Sequence, residues 1–246
     1  MKITVVGATG LVGSKLVELL TADGHEVVAA SRSTGADVLT GEGLADAVAG
    51  SAVLVDVTNS PSFEDGPVLD FFTRSSGNLV AAAKAEGVGH YVALSIVGVD
   101  DLPESGYMRA KVVQERTIAE SGLAYTIVRA TQFQEFAEAI TGSLVADGEV
   151  RAPDARIQPV AAADVSAEVA RAATAEPANG TVDFGGPEKI SFADMATAVL
   201  AAQGADMAVV VDATATYFGT PVGQDSLVTG PGATLGTTRF GDWLSR

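Results

Sequence analysis

Cysteine is absent from the 246-residue chain, which excludes disulfide cross-links and a thiolate nucleophile. His25 and His90 are the two histidines, too few for a histidine-based metal centre, and no metal is expected. Basic residues are scarce: 15 Lys and Arg stand against 31 Asp and Glu, a formal net charge of -16. Neutralising phosphates along a nucleic acid needs clustered Lys and Arg, so no nucleic acid is expected as a partner, and the acidity serves solubility. No apolar run is long enough to span a bilayer. Met1 leads straight into a strand-like run with neither a basic n-region nor an apolar h-region, so a cytoplasmic protein without a membrane partner is expected. Aromatics make up only 6% of residues, while Ala, Val and Gly dominate, a mixture that suits helices packed through small residues on a buried parallel sheet.

What is present is a βαβ rhythm. Residues 2–6, 26–30, 52–57, 90–95 and 124–128 read as strands, and 11–22, 44–48, 68–86 and 107–121 as helices. The helices end near Gly24, Gly50, Gly87 and Gly122, as left-handed C-terminal caps require. Beyond Arg129 the rhythm loosens: a helix over 133–145, another opening at Asp164, a strand over 181–184, a helix capped by Ser191 and a strand near 208–211. Residues 213–238 read as surface loop, followed by a last helical turn docking through Phe240, Trp243 and Leu244. The fold class is α/β, and one domain over 1–246 is expected.

Gly7, Gly10 and Gly13 form G-x-x-G-x-x-G directly after an apolar strand and at the start of an amphipathic helix. Glycines allow positive φ and close backbone approach, and the free N–H groups at a helix start favour a pyrophosphate. At the end of the second strand, where an acidic residue would bind the ribose 2'-hydroxyl of NAD, stands Arg32. A guanidinium suits a 2'-phosphate, with Ser31 and Ser33 as further donors, so NADP is the expected cofactor. Asp37 and Val38 are positioned to run beside the adenine, Asp37 alternatively capping a loop. Thr58, Asn59 and Ser60 emerge at the carboxyl end of the third strand, where open α/β folds bind ligands, or are turn residues.

The stretch "ESGYMRAKVVQE" sets Tyr107 and Lys111 four residues apart on one helix face. An ammonium nearby favours the phenolate, so such a Tyr would trade a proton with a carbonyl or alcohol oxygen. Ser95, ending the preceding strand, would polarise the same oxygen. With "VVGATGLVG", "ASRS", "VALSIVGVD", "YTIVRATQF", "QPVAAADVS" and "FGGPEKIS", these motifs make the chain resemble the short-chain dehydrogenase/reductase superfamily in its atypical, NmrA-like NAD(P)-binding branch. The resemblance implies a Rossmann-type doubly wound parallel sheet, residues from about 133 to 246 contributing a small substrate-covering lobe. It implies NADP(H) across the strand ends, catalytic roles for Ser95, Tyr107 and Lys111, a pyrophosphate loop of Gly7, Thr9, Gly10, Leu11 and Val12, and Thr131, Gln132 and Phe133 near the nicotinamide. Phe63, Met108 and Phe136, with Phe72, Phe133 and Tyr217 or Phe218, are candidates for an apolar substrate wall or plain core. Reduction of a small carbonyl or quinone by NADPH is the leading expectation, and an NADP-reading regulator without turnover the alternative. The helix over 68–86 would either form a homodimer or cover its own sheet.

Overall fold

A computed structural model describes all of residues 1–246. Strand and helix alternate from the start: β1 (Lys2–Val6), α1 (Leu11–Ala22), β2 (Glu26–Ala30), α2 (Leu44–Val48), β3 (Val53–Asp56), α3 (Asp65–Ala85), β4 (His90–Ile96), α4 (Gly106–Ala119) and β5 (Tyr125–Ala130). There follow α5 (Ala137–Ser143), β6 (Val145–Ala146), β7 (Glu149–Ala152), β8 (Arg156–Ile157), α6 (Ala162–Thr174), β9 (Gly180–Gly185), β10 (Ile190–Ser191), α7 (Phe192–Gln203), β11 (Val209–Val211), β12 (Thr234–Leu235) and α8 (Phe240–Leu244). The central sheet is seven-stranded and parallel, in the order β12-β9-β5-β4-β3-β1-β2. Strand order therefore reverses at β1, which pairs Val6 with Ala30 of β2 on one side and with Asp56 of β3 on the other. The loops leaving these three strands share one end of the sheet, at the crevice where doubly wound folds hold ligands.

The chain folds as two compact units, Met1–Ser95 with Gly106–Arg129 and Val165–Val182, and Ile96–Ser105 with Ala130–Asp164 and Asp183–Arg246. In the first, β3 is buried along its whole length, as a parallel strand covered on both faces must be. Helix α3 buries Val68, Phe71, Phe72, Ser75, Leu79 and Ala83, a stripe at helical spacing. Phe72 and Leu79 join Leu54, Tyr91, Ile118 and Ile127 in one core, where each large side chain contributes about 1.5–3 kcal/mol of burial. The helix starts at Asp65, upstream of the expected 68, because Pro67 lies in the first turn, where no N–H is needed. Ser166 Oγ of α6 donates to the Val12 carbonyl.

In the second unit β7 lies between β11, parallel, and β6, antiparallel, while β8 and β10 pair antiparallel. The expected helix over 133–145 is a 3-10 turn, Gln134–Phe136, followed by α5. Ser191 caps α7, its hydroxyl accepting the Asp194 N–H at 2.9 Å. The reading of 213–238 as surface loop is corrected by β12, which pairs Thr234 with Phe184 and Leu235 with Gly185. Asp164 holds the following turn, its Oδ2 accepting the N–H groups of Thr237 and Thr238 at 2.8 Å each.

Candidate active site

Gly7 has φ 87°, in the left-handed region that disfavours side chains, and a Cβ there would lie 2.9 Å from the Val57 carbonyl. A Cβ on Gly13 would lie 2.1 Å from Gly7 O, so loop and first helical turn touch backbone to backbone. Gly10, the exposed N-cap of α1, is the roomiest of the three, a Cβ meeting only Gly7 O at 3.3 Å. No side chain caps α1 and no acidic residue occupies its first turn. The first-turn amides, those of Leu11 and Val12 among them, have no intrahelical acceptor by helix geometry. Thr9, Gly10 and Leu11 are exposed and Val12 is buried. An uncapped helix start behind a glycine cradle fits a pyrophosphate.

After β2 the chain makes a 3-10 turn, Arg32–Thr34. Thr34 Oγ1 accepts the Ser31 N–H at 2.9 Å, and the Ser31 and Ser33 hydroxyls lie 2.8 Å apart. The Arg32 side chain is 81% exposed, with Nε 3.3 Å from Asp37 Oδ2. Asp37 Oδ1 accepts the N–H groups of Leu39 at 2.8 Å and Thr40 at 3.3 Å, so it caps its own loop. Val38 packs in the core of the first unit.

At the end of β3, Asp56 is fully buried. Its Oδ1 accepts the Thr58 N–H at 3.0 Å and the Thr58 hydroxyl at 2.7 Å, while Oδ2 accepts Gln114 Nε2 at 2.8 Å and the Tyr91 hydroxyl at 3.2 Å. Asn59 Oδ1 accepts the Ser60 N–H at 2.9 Å and the Tyr107 hydroxyl at 2.8 Å. The Tyr107 ring lies between Phe63, centroids 5.3 Å apart, and Phe72, 6.0 Å. Phe63 is 68% exposed, whereas Phe72 and Met108 are core.

Lys111, only 3% exposed, donates to the Leu94 carbonyl at 2.8 Å and to Gln114 Oε1, with Nζ 4.6 Å from the centre of the Phe72 ring. Burial pulls its pKa down to about 8, against the carboxylates of Asp56 and Glu115, which raise it. Burial pushes the Tyr107 phenol the other way, up to about 12, opposed by the hydrogen bond to Asn59. The expected ease of phenol ionisation is thus reversed: desolvation outweighs any help from the neighbouring ammonium, and Tyr107 holds its proton at neutral pH. Ser95 Oγ is buried without a hydrogen-bond partner, an uncommon state for a hydroxyl.

A family model described as NAD(P)H-binding matches residues 7–176, from the glycine loop through α6. The chain belongs to the NAD(P)H-binding family. This membership agrees with the resemblance to atypical short-chain dehydrogenases/reductases. The photosystem II assembly factor Ycf39 of Cyanophora paradoxa is 29% identical over 147 residues, 54% of this chain and 46% of that protein. A 3-diazoavenalumate denitrifying reductase of Streptomyces sp is 30% identical over 167 residues, 52% of this chain and 55% of that protein. The chain spans about half the length of these curated relatives. The structure of MoeE5 in complex with UDP-glucose and NAD superposes with a TM-score of 0.75 at 19% identity, over 100% of this chain and 96% of that one, a likeness of fold. No helix is long and apolar enough to cross a membrane.

The remaining expected positions of this NAD(P)H-binding chain lie in the second unit. Thr131 and Gln132 are buried; Thr131 Oγ1 accepts the Gly186 N–H at 3.3 Å, and Gln132 Oε1 has no partner. Phe133 stacks on the exposed Phe136, centroids 5.7 Å apart. The residues missed from the sequence are Asp56, Gln114 and Glu115, the last paired with Arg129 at 2.5 Å. Two signals were there to be read. Asp56 closes an otherwise apolar strand, and Lys111, Gln114 and Glu115 fall on the same helical stripe as Met108 and Ile118.

Proposed function

We propose that this chain binds NADP(H) and uses it to reduce a small carbonyl or quinone compound. The observation that carries the reading is the phenol of Tyr107, hydrogen-bonded at 2.8 Å to Asn59 in the loop leaving β3, beside the strand-order reversal. A bound NADPH supplies the hydride. Tyr107 gives its proton to the substrate oxygen, the phenolic O–H bond breaking as the new O–H forms. Without substrate that proton is donated to Asn59 Oδ1, so the hydroxyl exchanges this hydrogen bond for one to the substrate oxygen before the transfer, and Phe63 offers an exposed apolar ring to the substrate. The Ser95 hydroxyl donates to the same oxygen. Lys111 gives N–H groups to Leu94 and Gln114 and would have a third to offer the nicotinamide ribose. NADP rather than NAD is supported by Arg32 at the end of β2, whose side chain is exposed, its Nε held 3.3 Å from Asp37 Oδ2, with the Ser31 and Ser33 hydroxyls in the same turn.

Titrating NADPH and NADH, then following NADPH oxidation with a panel of quinones and ketones, tests the reading. NADPH should bind about tenfold or more tightly than NADH, and Arg32→Ala should erase the difference. Tyr107→Phe should lower kcat by roughly 10²–10⁴-fold with NADPH affinity nearly unchanged. Absence of oxidation across the panel, or a Phe variant as fast as the parent, rules out the reductase. A regulator that binds NADP without turnover is the second reading, favoured by the similarity to an assembly factor; it predicts binding with no oxidation.

A further inference from the structure

We infer that Asp56 is a positioning residue that sets Tyr107 and Lys111 together, acting through Asn59 on one side and Gln114 on the other. The inference rests on the proposed roles of Tyr107 and Lys111, and its geometry lies wholly within the first unit. The two oxygens of this fully buried carboxylate divide their work. Oδ1 takes the backbone N–H and the hydroxyl of Thr58, which fixes the start of the loop whose next residue, Asn59, receives the Tyr107 hydroxyl. Oδ2 takes Gln114 Nε2 at 2.8 Å.

An amide has one donor end and one acceptor end. Once the donor end of Gln114 is committed to Asp56, its Oε1 can only face away, and it meets the Lys111 ammonium. A carboxylate is needed for this, because Oδ2 must accept from both Gln114 and Tyr91 while Oδ1 accepts twice from Thr58. A neutral amide at position 56 would put a donor against donors. The same carboxylate supplies charge: Asp56 and Glu115 are the acidic groups that favour the Lys111 ammonium, and Glu115 is already paired with Arg129. The other titratable groups near this cluster are Tyr91, which donates to Asp56, and Tyr107, which shares Phe72 with Lys111.

Asp56→Asn, Gln114→Met, and the double variant Asp56→Asn with Gln114→Glu test the assignment, Tyr91→Phe serving as control. The Cε resonance of Lys111 is followed against pH by NMR in lysine-labelled protein without cofactor, and kcat, KM and NADPH affinity are measured alongside. In Asp56→Asn the Lys111 midpoint should fall by about one pH unit or more. Its kcat should drop about tenfold or more while NADPH affinity changes less than about threefold. The double variant, which moves the carboxylate one step along the relay, should bring the Lys111 midpoint back to the parent value. Tyr91→Phe removes a bond to the same carboxylate but leaves the relay, and should keep the parent midpoint. If Asp56→Asn fails to fold, Gln114→Met decides, with a lowered midpoint expected. A parent-like Lys111 midpoint in Asp56→Asn or Gln114→Met, or a folded double variant without rescue, overturns the assignment. A parent that neither binds nor oxidises NADPH defeats the proposed function instead, which the cofactor-free titration reads separately.

Discussion

Lys111 shows how burial changes what a side chain is. Four residues from Tyr107, it was legible as a helix-face partner of the phenol, yet in the folded chain both its resolved hydrogen bonds go to Leu94 and Gln114. Burial brings its pKa down to about 8 in the native state, against 10.5 for a lysine free in water. Between those values the unfolded chain binds the extra proton, so this residue makes stability rise with pH through that window, by about 3 kcal/mol in all. Lys111→Met should abolish the rise, read as the difference between parent and variant urea midpoints from pH 8 to 10. Above pH 10 the sign reverses for Tyr107, which keeps its proton to about 12 when folded. Identical pH dependence in both proteins would mean that Lys111 reaches water.

The strand-loop-helix of β1 and α1 separates the turn from the ligand cradle. At Gly13 an added methyl meets backbone at 2.1 Å, a clash that nothing flexible can relieve. Gly13→Ala should therefore cost about 1–3 kcal/mol of stability, visible as a lowered Tm. At Gly10 a methyl meets only Gly7 O, at 3.3 Å, and points to the exposed side. Gly10→Ala should lose at most about 1 kcal/mol as an N-cap while weakening NADPH binding about tenfold or more. Unchanged affinity in Gly10→Ala would remove the loop from the ligand site. Elements of the first 130 residues were legible to within about three residues, because caps and periodicity are local. The hairpin of β6 and β7 was legible too but not read: Asp147 and Gly148 both take positive φ, the Asp-Gly signature of a two-residue turn.

Residues 234–246 decide more here than their composition suggests. Segment 234–246 adds β12 to the sheet and buries Phe240. It is held by Asp164, by Gln134, whose Nε2 donates to Thr238 O at 2.9 Å, and by Glu188, whose Oε2 accepts the Phe240 N–H at 3.0 Å. Removing everything after Ala233 strips partners from these three side chains and uncovers apolar surface. A loss of roughly 2–5 kcal/mol is expected, measured as a lower thermal midpoint of the truncated chain. A truncated protein with the parent midpoint would show the segment to be dispensable.

The order of elements over the first 130 residues, the glycine turn and the shared helix face of Tyr107 and Lys111 could be read from the residues in line, since turns, caps and helix faces depend on neighbours a few positions apart. The direction of the pKa shifts, the joining of Asp56 to Gln114 across 58 positions and the seating of β12 beside β9 could not. Each depends on how strand and helix pack within the folded chain, which sets both the distance between remote side chains and the water they lose.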